Sequence, residues 1–206
     1  MPSLSLLTSD LIQETSEKLL VAIFNDDVPM LQAVLNNAPS TSSLSSSPSS
    51  PALSRRKKRV SVVEPPQPTL ILNCLDANGY APLHHAVMCR PPSIAIVEAL
   101  YFAGADVNLR TTQTRSPLHV LAQYGAGTDE EEFVIRDFVL NFVHQFKASI
   151  ACADAQGETC LHVAAERGAS PFVLAGLLLC DVDGRVRELK NARGSVHAFP
   201  RNPLFC

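Results

Sequence analysis

The sequence has no tryptophan, and aromatic residues make up only 6% of its 206 positions. Surfaces that bind single-stranded nucleic acid stack the bases on aromatic side chains, so this scarcity argues against such a surface. An excess of charge of one sign is also missing, because 17 Lys and Arg residues nearly balance 20 Asp and Glu residues. The charge therefore indicates neither a nucleic-acid partner nor a membrane partner.

Long hydrophobic runs are absent as well. The longest apolar stretch, from Val173 to Cys180, is far shorter than the roughly 20 residues that a membrane span needs. Residues 1–7 lack the basic segment of a secretory signal, and the six cysteines form no C-x-x-C pair. These absences predict an intracellular protein, cytoplasmic or nuclear, with reduced thiols.

Catalytic and metal-binding signatures are also missing. The sequence has no H-E-x-x-H, no G-x-S-x-G and no P-loop. Asp154, Glu158 and Glu166 look like scattered turn and helix positions and not like a poised pair of carboxylates. We therefore expect no catalytic residue, no cofactor, no metal and no small-molecule substrate.

What the sequence does contain is an internal repeat. Residues 78–86, 113–121 and 156–164 align as N-G-Y-A-P-L-H-H-A, Q-T-R-S-P-L-H-V-L and Q-G-E-T-C-L-H-V-A. Their shared histidines, His84, His119 and His162, are 35 and 43 residues apart. Leu83, Ala86 and Val87 have the i, i+3, i+4 spacing that predicts a helix with one buried face.

Local chemistry supports a helix start in each segment. Pro82 and Pro117 suit the first helical position, where a missing N–H costs nothing. Ser116 precedes such a position, and its hydroxyl is expected to accept a bond from a free N–H of the first turn. Gly79 and Gly157 suit turn positions with a positive φ angle.

These segments resemble the ankyrin signature, in which G-x-T-P-L-H-x-A opens the first helix of a repeat of about 33 residues. Residues 96–108, I-V-E-A-L-Y-F-A-G-A-D-V-N, resemble the second helix and closing turn of the same family. The resemblance implies an all-α solenoid of helix-turn-helix units with turn or hairpin tips, in about four repeats. Three repeats are expected at about 76–110, 111–153 and 154–190, and residues 1–38 are expected to hold a degenerate capping helix pair.

Two other segments do not fit the repeat. Residues 39–69 are rich in Ser and Pro, which predicts a disordered insert. The insert carries a basic run that suggests a nuclear localisation signal, followed by a serine that suggests a phosphorylation site. The alternative is an inert solvated run. These residues are Arg55, Arg56, Lys57, Lys58, Arg59 and Ser61. Residues 191–206 begin like a repeat but lack P-L-H, which predicts an incomplete repeat start and an irregular tail, as in a truncated chain.

The resemblance also implies how the protein works. Ankyrin arrays bind other proteins through a concave face made of the turn tips and the exposed sides of the first helices. The equivalent positions here are Asn78, Tyr80, Met88, Gln113, Arg115, Gln123, Tyr124, Gln156, Glu158, Glu166 and Arg167. Tyr and Arg are frequent interface anchors, so Tyr80, Arg115 and Tyr124 are the expected ones. The three repeat histidines are expected to be structural.

The predicted function is that of a non-enzymatic protein-binding module, an adaptor, scaffold or regulatory subunit. Two alternatives remain open at this point. The chain is a regulatory ankyrin segment of a larger enzyme or transcription regulator, or it is a poorly folded product. The sequence does not name the partner protein, because the same fold binds many unrelated targets.

Overall fold

The computed structural model describes residues 4–37, 70–125, 132–167 and 170–190. Within these ranges the chain forms eight α-helices, a short 3-10 helix at Leu70–Asn73, and an isolated antiparallel bridge between Ala153 and Thr159. The helices are α1 (Leu4–Phe24), α2 (Val28–Asn37), α3 (Pro82–Met88), α4 (Ile94–Phe102), α5 (Pro117–Tyr124), α6 (Glu132–His144), α7 (Cys160–Arg167) and α8 (Pro171–Cys180). The insert at 39–69 and the tail at 191–206 lie outside the described residues.

The helices stack in two rows. The first helices α1, α3, α5 and α7 each pack on the next one, and the second helices α2, α4, α6 and α8 do the same. Within the pairs, α1 packs on α2, α3 on α4, and α7 on α8. This is the all-α solenoid of about four helix pairs that the sequence predicted.

The core of the stack is built from equivalent positions of the repeat. The leucine of each repeat motif, Leu83, Leu118 and Leu161, is at most 1% exposed. One turn later, Ala86, Leu121 and Ala164 are buried as well. Since each buried face is covered by the neighbouring pair, the stability of each pair depends on its neighbours.

The helix starts follow the predicted chemistry at the prolines. Pro82 and Pro117 occupy the first positions of α3 and α5, as predicted. Pro171 does the same in α8, where the Ser170 hydroxyl accepts a 3.3 Å bond from the Phe172 N–H. Ser116 directly precedes α5 and forms a capping box with His119, the third residue of the helix.

The turns between repeats need a backbone conformation that favours glycine. Gly79 and Gly157 have φ angles of 81° and 73°, as predicted, and Gly104 has 100° at the end of α4. Thr114 occupies the equivalent position in the middle repeat and has a φ of 61°. A β-branched residue is strained in this conformation, so the middle turn has the same shape at a higher energy.

The first helix pair is longer than the repeat pattern suggests, since α1 has 21 residues. Residues 4–24 contain neither Pro nor Gly, and the Lys18 Nζ lies 2.6 Å from Glu14 Oε1, one turn away. The 3-10 helix is tied to the next repeat by Asn73, whose side chain bonds the Gly104 carbonyl (3.0 Å) and the Asp106 N–H (2.8 Å).

Candidate protein-binding surface

Acidic side chains fix the turn tips of the first and last motif repeats. Asp76 Oδ1 accepts bonds of 2.9 Å from the backbone N–H groups of Asn78 and Tyr80. Asp154 Oδ1 accepts the equivalent bonds from Gln156 (2.9 Å) and Glu158 (3.0 Å). The two tips therefore have the same backbone shape, although they are separated by a whole repeat.

The middle tip is held by a hydroxyl in the same position. Thr111 Oγ1 accepts a 3.1 Å bond from the backbone N–H of Arg115. The Thr111 N–H in turn donates to the Arg115 carbonyl over 2.9 Å, which closes the turn. Asn78, Gln113 and Gln156 are exposed on the three tips. Each of these amide side chains is thus presented by a backbone that is already ordered.

The repeat histidines connect successive repeats. His84 Nε2 lies 3.1 Å from the Leu109 carbonyl and His119 Nε2 lies 2.9 Å from the Glu158 carbonyl. A carbonyl oxygen only accepts, so Nε2 carries the proton in both rings and Nδ1 is the acceptor. Burial lowers the pKa of His84 to about 4 and also lowers that of His119, so both are neutral at pH 7. They act as structural groups, as the resemblance implied.

The ring of His119 contacts both polar groups of Ser116, the residue before α5. His119 Nδ1 lies 2.8 Å from the Ser116 hydroxyl and 3.3 Å from the Ser116 backbone nitrogen. Because Nδ1 can only accept, the hydroxyl donates to it. His162 is placed in the same way, with Nδ1 at 2.9 Å from Thr159 Oγ1 and 3.2 Å from the Thr159 backbone nitrogen.

Arg115 is a buried structural residue and not a free surface anchor. It is only 8% exposed, and its Nε lies 3.3 Å from Oδ2 of Asp154, whose side chain is fully buried. A second guanidinium nitrogen, Nη1, donates to Gln123 Oε1. The prediction that Arg115 anchors a partner assumes an exposed side chain, and this assumption is wrong. The guanidinium instead joins two successive repeats.

Tyr80 and Tyr124 lie together between the first two tips. Both are half-buried, and their hydroxyl groups are hydrogen-bonded to each other. Burial and this bond raise the pKa of Tyr80. The ring of Tyr80 packs 6.2 Å from His84 and 5.7 Å from His85, measured between centroids. The pair forms a partly exposed aromatic floor next to the exposed tip amides.

The remaining predicted positions divide by exposure. Met88 and Gln123 are half-buried on α3 and α5, and Glu166 is exposed near the end of α7. Glu158 is only 5% exposed, so the assumption that its side chain is exposed to a partner is wrong, as it is for Arg115. The side chain of Arg167 lies outside the described part of the chain. The basic run 55–59 and Ser61 lie outside it too, and both stay predictions.

Sequence reasoning missed the role of the tip carboxylates. The sequence pattern places Asp154 among scattered turn charges and assigns no role to Asp76. Asp76 also pairs with His85, whose Nε2 lies 2.8 Å from Asp76 Oδ2. A signal was available, because residues 76–79 read D-A-N-G and residues 154–157 read D-A-Q-G. An aspartate three residues before a turn glycine is typical of a side chain that bonds its own turn backbone.

Among the described residues, no group of three or more His, Cys, Asp or Glu side chains is placed to hold a metal ion. No helix in the same ranges is long and apolar enough to cross a membrane.

The stacked helix pairs, the fixed tips and the histidine bridges define a helical repeat solenoid. The family model for the ankyrin repeat matches residues 78–112, which run from the first tip to the second. Residues 78–112 therefore form an ankyrin repeat, and the described helices are stacked as in an all-α ankyrin solenoid. It is 39% identical over 64 residues to "Protein fem-1 homolog C" from Danio rerio, and the match covers 26% of this chain. The chain spans only 10% of the length of that relative.

Proposed function

We propose that the chain is a non-enzymatic protein-binding module, an adaptor, scaffold or regulatory subunit, that contacts its partner with one continuous surface. We name this surface the tip surface. It consists of the accessible predicted positions, which are Asn78, Tyr80, Met88, Gln113, Gln123, Tyr124, Gln156 and Glu166. Ankyrin repeats are in general protein-interaction modules, which is the first support for the proposal.

The observation that carries the proposal is that hydrogen bonds fix the backbone of all three tips. The backbone N–H groups of Asn78 and Tyr80 bond the carboxylate of Asp76. Those of Gln156 and Glu158 bond the carboxylate of Asp154, and the middle tip is closed through Thr111. A partner that binds Asn78, Gln113 and Gln156 therefore does not need to order these loops. Affinity rises when the free surface already has its bound shape, because less entropy is lost on binding.

The aromatic pair supplies the expected anchor of the tip surface. Tyrosine gives a large contact area with few rotatable bonds, and Tyr80 and Tyr124 lie beside the tips with part of each ring accessible. Arg115 and Glu158 are left out because they are buried. Arg115 bonds Gln123 and Asp154, and the backbone N–H of Glu158 bonds the same Asp154 carboxylate, so both residues help to fix the third tip.

A matched pair of variants tests the tip surface. The tip variant carries Asn78→Arg, Gln113→Arg and Gln156→Arg, each at an exposed amide. The control variant carries Gln32→Arg, Asn141→Arg and Gln145→Arg, exposed amides on the row of second helices. Both variants add the same charge, so non-specific effects of charge are equal in the two.

The experiment is quantitative capture from cells that express the tagged full chain, with the bound proteins identified by mass spectrometry. The proposal expects at least one protein that wild type and the control variant enrich equally and that the tip variant loses by about tenfold or more, the effect of about 1.4 kcal/mol. Circular dichroism of the purified variants shows that both are folded. If all three proteins capture the same partners equally, the tip surface is not the binding site. If the tip variant and the control variant both lose the partner, binding is not confined to the tip surface.

A further inference from the structure

Helix α8 is apolar on every side. Residues 171–180 read P-F-V-L-A-G-L-L-L-C, without a charged side chain. One side packs on the stack, where Val173 and Leu177 are fully buried and a Cβ at Gly176 would lie 2.9 Å from Cβ of Val139. The opposite side carries Leu179, which is 55% exposed. A helix that is apolar all round is ordinarily covered all round, so this side of α8 lacks a cover among the described residues.

The uncovered side of α8 forms a groove with α6. The groove has a volume of about 570 Å³ and is lined by Glu132, Arg136, Pro171, Phe172, Ala175, Leu178 and Leu179. Phe133 is 64% exposed at its rim, with the guanidinium of Arg136 4.8 Å from the ring centroid. This volume suits several apolar side chains, and the Glu132 carboxylate adds one acidic group to the wall.

We propose that residues 191–206 of the same chain bind in this groove as an extended strap. The segment continues from Lys190, ten residues after the end of α8, and it contains the apolar residues Val196, Phe199, Leu204 and Phe205. Sixteen extended residues reach about 50 Å, whereas α8 is only about 15 Å long. Pro200 and Pro203 oppose a helix there, which favours the extended form that a groove accepts.

One acidic group of the groove suits the basic residues of the strap. Residues 190–206 contain Lys190, Arg193 and Arg201 and no Asp or Glu. The groove is lined by one carboxylate, that of Glu132, and one guanidinium, that of Arg136. A basic residue of the strap can therefore pair with Glu132 while the apolar side chains fill the groove floor.

A second groove on the same row of helices provides a control. It lies between α2 and α4, it is lined by Gln32, Asn36 and Glu98 as well as by apolar residues, and it includes Phe102, which is 68% exposed. Leu179 and Phe102 are thus comparable exposed apolar residues in two separate grooves. Both grooves lie on the second-helix row, so the strap does not depend on the tip surface.

The experiment places the photocrosslinker p-benzoylphenylalanine at position 199 of the purified full chain and maps the crosslinked peptides by mass spectrometry. Crosslinks within one molecule to residues 132–136 or 171–179 are expected. Leu179→Arg should lower their yield about tenfold, the order expected when one leucine is no longer buried, and Phe102→Arg should leave the yield unchanged. Leu179 is half exposed, so its replacement leaves the core intact, which circular dichroism verifies.

Three results overturn the strap. Crosslinks that fall elsewhere in the chain, or no crosslinks at all, show that residue 199 does not lie in the groove. Crosslinks between heavy- and light-labelled copies show that a second copy fills it. An unchanged yield with Leu179→Arg shows that the groove floor does not hold the segment.

Discussion

Replacing Thr114 by glycine is expected to stabilise the protein, although the substitution removes a side chain. Thr114 has a φ of 61° at the turn position where the neighbouring repeats have Gly79 and Gly157. Its hydroxyl oxygen is buried and has no hydrogen-bond partner among the described residues. The middle tip therefore contains two unfavourable features that the other two tips avoid.

The size of the effect follows from three contributions. A left-handed conformation costs a residue with a Cβ roughly 1–2 kcal/mol, and a buried unsatisfied hydroxyl costs roughly 1–3 kcal/mol. The greater freedom of glycine in the unfolded chain opposes the gain by roughly 0.5–1 kcal/mol. The free energy of unfolding should rise by about 1–4 kcal/mol, which raises Tm by about 2–4 °C per kcal/mol for a chain of this length.

This effect is measured by thermal unfolding, followed by circular dichroism at 222 nm. The proteins compared are wild type, Thr114→Gly and the reverse change Gly157→Thr. Gly157→Thr, at a φ of 73°, should lower Tm. If Thr114→Gly leaves Tm unchanged or lowers it, the middle tip is not strained and the equivalence of the three tips is wrong.

Three further predictions concern contacts inside the stack. Burial lowers the pKa of His84 from 6.5 to about 4. The free energy of unfolding should therefore fall by about 3 kcal/mol as the pH drops from above 6.5 toward 4. Urea unfolding at several pH values should show a weaker pH dependence for His84→Gln than for wild type. Arg115→Ala leaves the buried Asp154 carboxylate without its ion pair and should cost about 3 kcal/mol, whereas a loss below about 1 kcal/mol in urea unfolding contradicts the buried pair. Gly176→Val places new atoms against Val139 and should cost about 2–3 kcal/mol, and an unchanged denaturant midpoint would show that α6 and α8 are packed less closely than the structure indicates.

Local chemistry made much of the fold predictable. Pro82 and Pro117 start helices because proline is tolerated only where its missing N–H is not needed. Gly79 and Gly157 mark turns because a positive φ is accessible to glycine without strain. These features depend on a few adjacent residues, so the sequence reveals them without knowledge of the rest of the chain.

The environment of Arg115 was not predictable in this way. Its partner, Asp154, is 39 residues later and meets it only when the second and third repeats stack. The pattern placed Arg115 on a tip correctly, but the direction of its side chain depends on that long-range contact. The hydroxyl of Ser116 is a similar case, because the proton position of His119 is set by the Glu158 carbonyl of the next repeat.

The most direct test of the central claim is the affinity of one captured partner, purified and titrated against wild type, the tip variant and the control variant by biolayer interferometry. The tip surface predicts that the triple change at Asn78, Gln113 and Gln156 raises Kd at least about tenfold, or about 1.4 kcal/mol. The triple change at Gln32, Asn141 and Gln145 should leave Kd unchanged. Equal Kd values for all three proteins would contradict the account and would place the partner on another part of the chain.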